Sequence, residues 1–356
     1  MSGCLPGSAY KFYEEASSSK PRTVFTQSSD GYCFGIEIEL TLSPKVQNIH
    51  QFHSSLLPGP MEDDGTYPWE QMATALTMLL DRVLWDRGMG RASQRQSYDK
   101  WCVTFDDTIQ PPRGFSGFEI ISPILTTEMD WRVVIETIYA VVDAYFIIQA
   151  SPSCGTHVHI TPGRRTWNVA DLRALSKAIV LWDPVIEGLL PEERRIDAPD
   201  SWHRSNIHGQ LALHLEQFHS DGFDHLFQMI DDIDDRDEIV DFISPDKAWA
   251  WNFCHVKEAC GTVEFRKPPM ALTSSAAVAW IEFTLMFVRA ATGMEMGYWE
   301  GVGSQNARPS IRALESFVCL GLMPGTIDGK SGLTLFQDLT TSRSGGSAGP
   351  CLVAQL

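Results

Sequence analysis

Apolar and polar positions alternate strictly along residues 33–42. A strand there puts Phe34, Ile36, Ile38 and Leu40 on one face and Gly35, Glu37, Glu39 and Thr41 on the other. Residues 156–161 repeat the pattern, with Val158 and Ile160 opposite His157 and His159. Shorter strands are predicted near 101–105 and 117–122, and residues 249–253 and 261–266 read as a hairpin pair. Elsewhere a 3.6-residue period takes over. It predicts helices over about 68–87 (stripe Trp69, Met72, Leu76, Leu79, Leu80 and Val83), 129–148, 274–292 and 311–322. Asn168 is placed to cap another helix that runs to about Leu190 and stops at Pro191, and 210–243 reads as helical but acidic. Strands and helices come in runs, not in regular βαβ alternation, so the expected fold class is α+β.

This periodic region spans residues 32–324 without a Pro/Gly/Ser linker long enough to divide it, and one domain is expected. Residues 1–31 and 325–356 are Ser- or Gly-rich and aperiodic, the pattern of tails. The most apolar stretches, Val133–Ala150 and Ala276–Thr292, each carry ionised residues and read as core helices, not membrane spans. Lys plus Arg number 28 against 45 Asp plus Glu, a formal net charge of −17. Nucleic-acid binding and docking on an anionic membrane both need a positive field, so neither is expected. Eight scattered cysteines form no Cys-x-x-Cys pair and no Asn-x-Ser/Thr sequon occurs, which suits a reducing, cytoplasmic home.

Chemistry is concentrated where ligand-type residues stand two apart on strands. Glu37 and Glu39 share a face, as do His157 and His159, and as do Glu264 and Arg266; Glu119 adds an acid within an apolar run. One such pair is ordinarily just the solvated face of a strand. Four such strands side by side would instead gather four carboxylates, two imidazoles and a guanidinium. Carboxylates so confined need raised pKa values or a counter-ion, and oxygen-rich sites suit Mg²⁺ or Mn²⁺. Arg266 and His159 would then be left for phosphate oxygens.

The ordered set FGIEIEL, DDT…GFEIISPIL, CGTHVHITP and WAWNFCHVKEACGTVEFRKPP resembles the amidoligase family of the carboxylate–amine ligases, the superfamily of glutamine synthetase and γ-glutamylcysteine ligase. The resemblance spans roughly residues 33–290. It implies an antiparallel sheet curved into a half-funnel with helices outside, and an ATP- and Mg²⁺-dependent ligase working through an acyl phosphate. Its substrates would be a small-molecule or peptide carboxylate and an amine, as in the modification of peptides or natural products. It implies metal ligation by Glu37, Glu39, Glu119, His157 and Glu264. His159 would contact phosphate or substrate, Arg266 would clamp the transferred phosphoryl group, and Arg194 and Arg204 would lie near substrate or nucleotide. The sequence leaves open whether Asp106 or Asp107 joins them. It departs from the family where Lys267-Pro268-Pro269 follows Arg266 in place of a Gln-His-type continuation.

Other signals weigh less. Residues 325–331 resemble a P-loop but are one residue short between the glycines. The acids of 231–246 lack calcium-loop spacing, and the five- or six-residue spacings of the histidines at 203, 208, 214, 219 and 225 put few of them on one helical face. Arg194, Arg195 and Arg204 have Glu192, Glu193 and Asp197 as alternative salt-bridge partners. Cys154 and Cys260 each precede a glycine beside a ligand strand, with no sequence-local base to activate them, so packing roles are expected. A non-catalytic nucleotide or metal binder and a metal-dependent amide hydrolase are the competing functions.

Overall fold

The computed structural model describes residues 31–57, 62–63, 65–163, 165–195, 203–208, 223–294, 298–299 and 309–321. The two expected tails, apart from Gly31, lie outside these residues, as do the P-loop-like segment, His214 and His219. One open sheet organises the rest. Its strands are β1 (Cys33–Pro44), β2 (Ala92–Ser93), β3 (Trp101–Thr104), β4 (Ser116–Ile121), β5 (Leu125–Thr126), β6 (Phe146–Gln149), β7 (Thr156–Thr161), β8 (Trp251–Asn252) and β9 (Val263–Phe265). They run in the order β2-β3-β4-β1-β7-β9-β8, with β5 and β6 pairing the two ends of β1. Every pairing is antiparallel except β2 with β3. The class is therefore α+β, with a mostly antiparallel sheet.

Among the described residues eight α-helices accompany it: α1 (Val46–Phe52), α2 (Trp69–Asp86), α3 (Trp131–Tyr145), α4 (Val169–Glu187), α5 (Asp224–Asp231), α6 (Arg236–Ile243), α7 (Ser274–Gly293) and α8 (Ile311–Leu320). The alternation in β1 explains the layering. Ile36, Ile38, Leu40 and Leu42 are wholly buried and join one core with Leu76 and Leu80 of α2, Ile135 and Ile138 of α3, Ile179 of α4 and Phe283 and Phe287 of α7. Trp251 stacks on Phe265 at 4.3 Å and on Phe287 at 5.0 Å, clamping the β8–β9 edge to α7. Helix α7 is the one described helix long and apolar enough to cross a membrane, yet it is mostly buried in this core. The Asn168 cap forms as expected, its side chain accepting from the Asp171 amide at 2.8 Å.

One boundary differs from expectation. The helix predicted to reach residue 148 ends at Tyr145, and Phe146–Gln149 becomes β6, pairing Thr41–Pro44 of β1. Pairing to a strand a hundred residues earlier overrides a local pattern that fits a helix equally well. The acidic 210–243 stretch contributes α5 and α6; residues 209–222 lie outside the described set.

Candidate active site

Register decides what meets on the polar face. Glu37 stands opposite His157 and Gly35 opposite His159 across β1–β7; Glu39 stands opposite Glu119 across β1–β4. His159 faces Glu264 across β7–β9, and Glu264 faces Asn252 across β8–β9. Side chains two apart on each strand therefore form one continuous polar surface, and Glu37, Glu39, His157, His159 and Glu264 are all buried in it.

The resulting contacts are dense. His157 Nδ1 lies 3.2 Å from Glu37 Oε2 and 3.5 Å from Glu264 Oε1, while its Nε2 lies 3.7 Å from Glu39 Oε1. His159 Nε2 lies 3.3 Å from Glu37 Oε1 and 3.7 Å from Glu264 Oε1. Glu264 uses its two oxygens differently. Oε1 turns to these imidazoles, whereas Oε2 accepts from Asn252 Nδ2 at 2.8 Å and lies 3.5 Å from His255 Nε2. Asn252 and His255 thereby fix the carboxylate plane so that one oxygen always faces inward.

Among the described residues four sets of ligand atoms are close enough for a shared ion: His159, His255 and Glu264 form one and His255, Glu258 and Cys260 another, while the remaining two carry most of the acids of the polar face. One comprises Glu37, His157 and Glu264; the other comprises Glu39, Asp106 and Glu119, each with its ligand atoms within 4.8 Å of one another. Of the neighbouring aspartates, Asp106 lies in the latter group and the exposed Asp107 does not. Charges respond accordingly. Burial opposes ionisation of Glu37, but His159 and His157 outweigh it and hold the carboxyl down to about 2. Burial likewise opposes ionisation of Glu264, yet Arg266, His159, His255 and His157 keep it well below the usual range. Glu119 goes the other way, driven well above that range by burial and then by the charges of Glu37, Glu39 and Asp106. Buried carboxylates beside imidazoles, with Glu119 alone pushed towards the neutral form by its acidic neighbours, make a donor set that a hard divalent cation such as Mg²⁺ or Mn²⁺ fits.

Cations of the protein frame this surface. Arg266 donates from Nη1 to the Lys247 carbonyl at 2.6 Å, and its Nε lies 4.0 Å from Glu264 Oε1. Burial disfavours its charge, but Glu264, Glu37, Glu39 and Asp106 more than restore it. Arg194 is buried and donates to the Cys154 carbonyl; burial pulls its pKa down to about 10 against the pull of Glu39. His203 packs edge-on to His157 at 6.1 Å, and burial followed by the charge of Arg194 drives its pKa well below the usual imidazole value. Arg204 stands apart, its side chain half exposed, with its guanidinium 3.4 Å from Asp246 and over the Trp249 ring. Of the predicted set, Glu37, Glu39, Glu119, His157, His159, Glu264, Arg266 and Arg194 are brought together.

Gly155 shows how tightly. A Cβ there would lie 2.5 Å from Arg194 Nη2 and 2.9 Å from His157 Nε2, and its amide donates to Glu39 Oε2 at 2.5 Å. The unexpected Lys267-Pro268-Pro269 also has a function in the fold. Lys267 is fully buried against Glu187 of α4, and the Pro268 carbonyl accepts from the Thr156 amide at 3.2 Å, so this segment carries the sheet edge onto the start of β7. Beyond His159 and Glu37, at the Cys33 end of the sheet, lies a cavity of about 260 Å³ walled by Tyr98, Ile121, Pro123, Ile124, Trp167 and Val256.

Two features escaped the sequence reading. No local pattern marks His255 within the CHVKEAC stretch; its 3-10 turn (Cys254–Lys257) brings it to Glu264. Cys260 is the other: its thiol donates to the His255 carbonyl at 3.6 Å, which draws the two residues together. Cys154 matches its expected packing role: it is fully buried, and burial pushes its thiol up to about 12.

The α+β sheet thus carries a buried carboxylate–imidazole face, with a flanking guanidinium, whose donor groups could hold a divalent cation. Residues 30–288 match the family model described as "Putative amidoligase enzyme", and the chain belongs to that amidoligase family. No curated protein matches the chain significantly.

Proposed function

We propose that the protein is an ATP-dependent ligase that joins a carboxylate to an amine through an acyl phosphate. The observation that carries this reading is the convergence of Glu37, His157 and Glu264, and of Glu39, Asp106 and Glu119, on one buried sheet face beside Arg266. A carboxylate is a poor electrophile, so direct condensation with an amine stalls in water. Attack of a carboxylate oxygen on the γ-phosphorus, with ADP departing, converts it into an acyl phosphate. The amine nitrogen then attacks the carbonyl carbon, phosphate leaves, and the nitrogen sheds a proton.

On this reading Glu37, His157 and Glu264 hold one Mg²⁺ and Glu39, Asp106 and Glu119 a second. Bound Mg²⁺ supplies charge neutralisation for the phosphates during transfer. Arg266, kept charged by four acids, presents its planar fork to the transferred phosphoryl oxygens. His159 lies between the acids and the cavity, whose Tyr98 and Trp167 rings suit the nucleoside end of ATP. Arg194 closes the opposite end, where it favours a second anionic group, such as the substrate carboxylate. The sheet would then be one wall of the half-funnel that the family resemblance implies. Substrates would be small acids or peptides and amines, handled without nucleic-acid or membrane contact.

Hydroxylamine tests this directly, since it traps any acyl phosphate as a hydroxamate. Incubated with ATP, Mg²⁺ and a panel of carboxylic acids, the protein should yield hydroxamate and ADP in equal amounts. Glu264→Gln should abolish both. Hydroxamate formed from amides without ATP would identify a hydrolase, and silence across a broad panel a binder.

A further inference from the structure

The loop between β8 and β9 builds a second cluster of a different chemical kind. After the 3-10 turn, the Glu258 amide donates to the His255 carbonyl at 3.1 Å and the Gly261 amide to the Glu258 carbonyl at 3.1 Å. Gly261 then takes φ +60°, a left-handed conformation that reverses the chain at little cost only for glycine. The two tight turns bring His255, Glu258 and Cys260 into one group. A nitrogen, an oxygen and the sulfur from these three residues lie within 4.8 Å of one another, with His255 Nδ1 2.8 Å from Glu258 Oε2.

We propose that His255, Glu258 and Cys260 form a cation site selective for Zn²⁺-class ions, distinct from the oxygen-rich groups of the polar face. The donors decide the selectivity. Thiolate and imidazole are soft or borderline ligands that Mg²⁺ binds poorly and Zn²⁺ binds well. The surroundings have the form of a built metal site. His255 turns its other nitrogen, Nε2, to Glu264 Oε2 at 3.5 Å, the carboxylate–imidazole–metal arrangement that orients a ligating ring. Glu258 has its remaining oxygen, Oε1, on Lys247 Nζ at 3.2 Å, and Thr262 Oγ1 donates to the Cys260 sulfur at 3.7 Å. Three protein ligands leave one tetrahedral position. Glu258 and Cys260 both line the cavity, so that position opens into it, towards water or a donor atom of whatever the cavity holds. Because His255 also holds Glu264, occupancy of this site would tie the cavity wall to the carboxylate that the ligase reading places on Mg²⁺.

Co²⁺ reports thiolate ligation by its sulfur-to-metal charge-transfer absorption, and it can be read without ATP or turnover. Full-length protein in excess Mg²⁺ should develop this band with one equivalent of Co²⁺ and lose it on adding one equivalent of Zn²⁺. Cys260→Ser should lack the band, while Cys254→Ser and Glu37→Gln should keep it. An absent band in the wild type, a band that survives Cys260→Ser, or one lost in Glu37→Gln overturns the proposal. Wild-type protein gives a test free of folding defects. Zn²⁺ should slow alkylation of Cys260 by iodoacetamide at least tenfold relative to Cys254, as read by peptide mass spectrometry; equal rates with and without Zn²⁺ overturn it as well.

Discussion

Single side chains in this site are fixed by neighbours that the linear sequence does not reveal. Asp106 and Asp107 are indistinguishable as text. Only the turn after β3, in which Asp106 accepts from the Thr108 amide at 2.7 Å, points the first towards Glu39 and Glu119 and leaves the second in solvent. Gly155 is similarly silent in sequence and decisive in space. Gly155→Ala forces its Cβ into Arg194 and His157, so it should destabilise the protein by about 1–3 kcal/mol and lower divalent-cation affinity. Gly35→Ala is the control, because its Cβ would meet Ser122 and His159 at ordinary distances of 3.8 and 3.9 Å. Urea denaturation of both variants checks the contrast; equal losses would contradict it.

Elements were legible in proportion to their length and locality. The alternation of β1 and β7 and the Asn168 cap of α4 are written locally, and all formed. Two-residue strands such as β2 and β5 exist only because a partner runs alongside, so no local pattern foretells them. The same is true of the turn from α3 into β6. Pairs that join distant elements are equally unwritten, and Lys267 with Glu187 is one, tying the end of β9 to α4. Lys267→Met should strand a buried carboxylate and cost about 3–5 kcal/mol, while Lys267→Met with Glu187→Leu should recover most of the loss. Denaturant midpoints of the two variants decide this. A double variant no better than the single would show that the pair is not what holds β9 to α4.

For the molecule as a whole, the four motifs named the family and the correct strands, because each sits on a stretch whose period is unambiguous. The sequence could not say that the strands lie in the order that brings β4, β1, β7 and β9 side by side, since strand order is set by long-range pairing. That order concentrates acids in one buried face of a chain already carrying a net charge of −17. Divalent cations should therefore stabilise the fold. At a hundred times its Kd, a single bound ion adds about 2.7 kcal/mol, a rise in Tm on the order of 5–10 °C. Calorimetry with Mg²⁺ or Mn²⁺ should show this rise in the wild type and a smaller one in Glu39→Gln; no rise with either ion would contradict the cation reading.

Strand β1 is held along both edges, by β4 and β5 on one side and by β7 and β6 on the other. Glu37 and Glu39 thus ride on a keel that can neither slide nor bend alone, and the pleat fixes the spacing between them at about 7 Å. Divergence within such an architecture has little freedom to tune one carboxylate cluster against the other. Changes in what the protein accepts must instead be written in the loops that overhang the two ends of the sheet, while the keel passes unaltered from one specificity to the next.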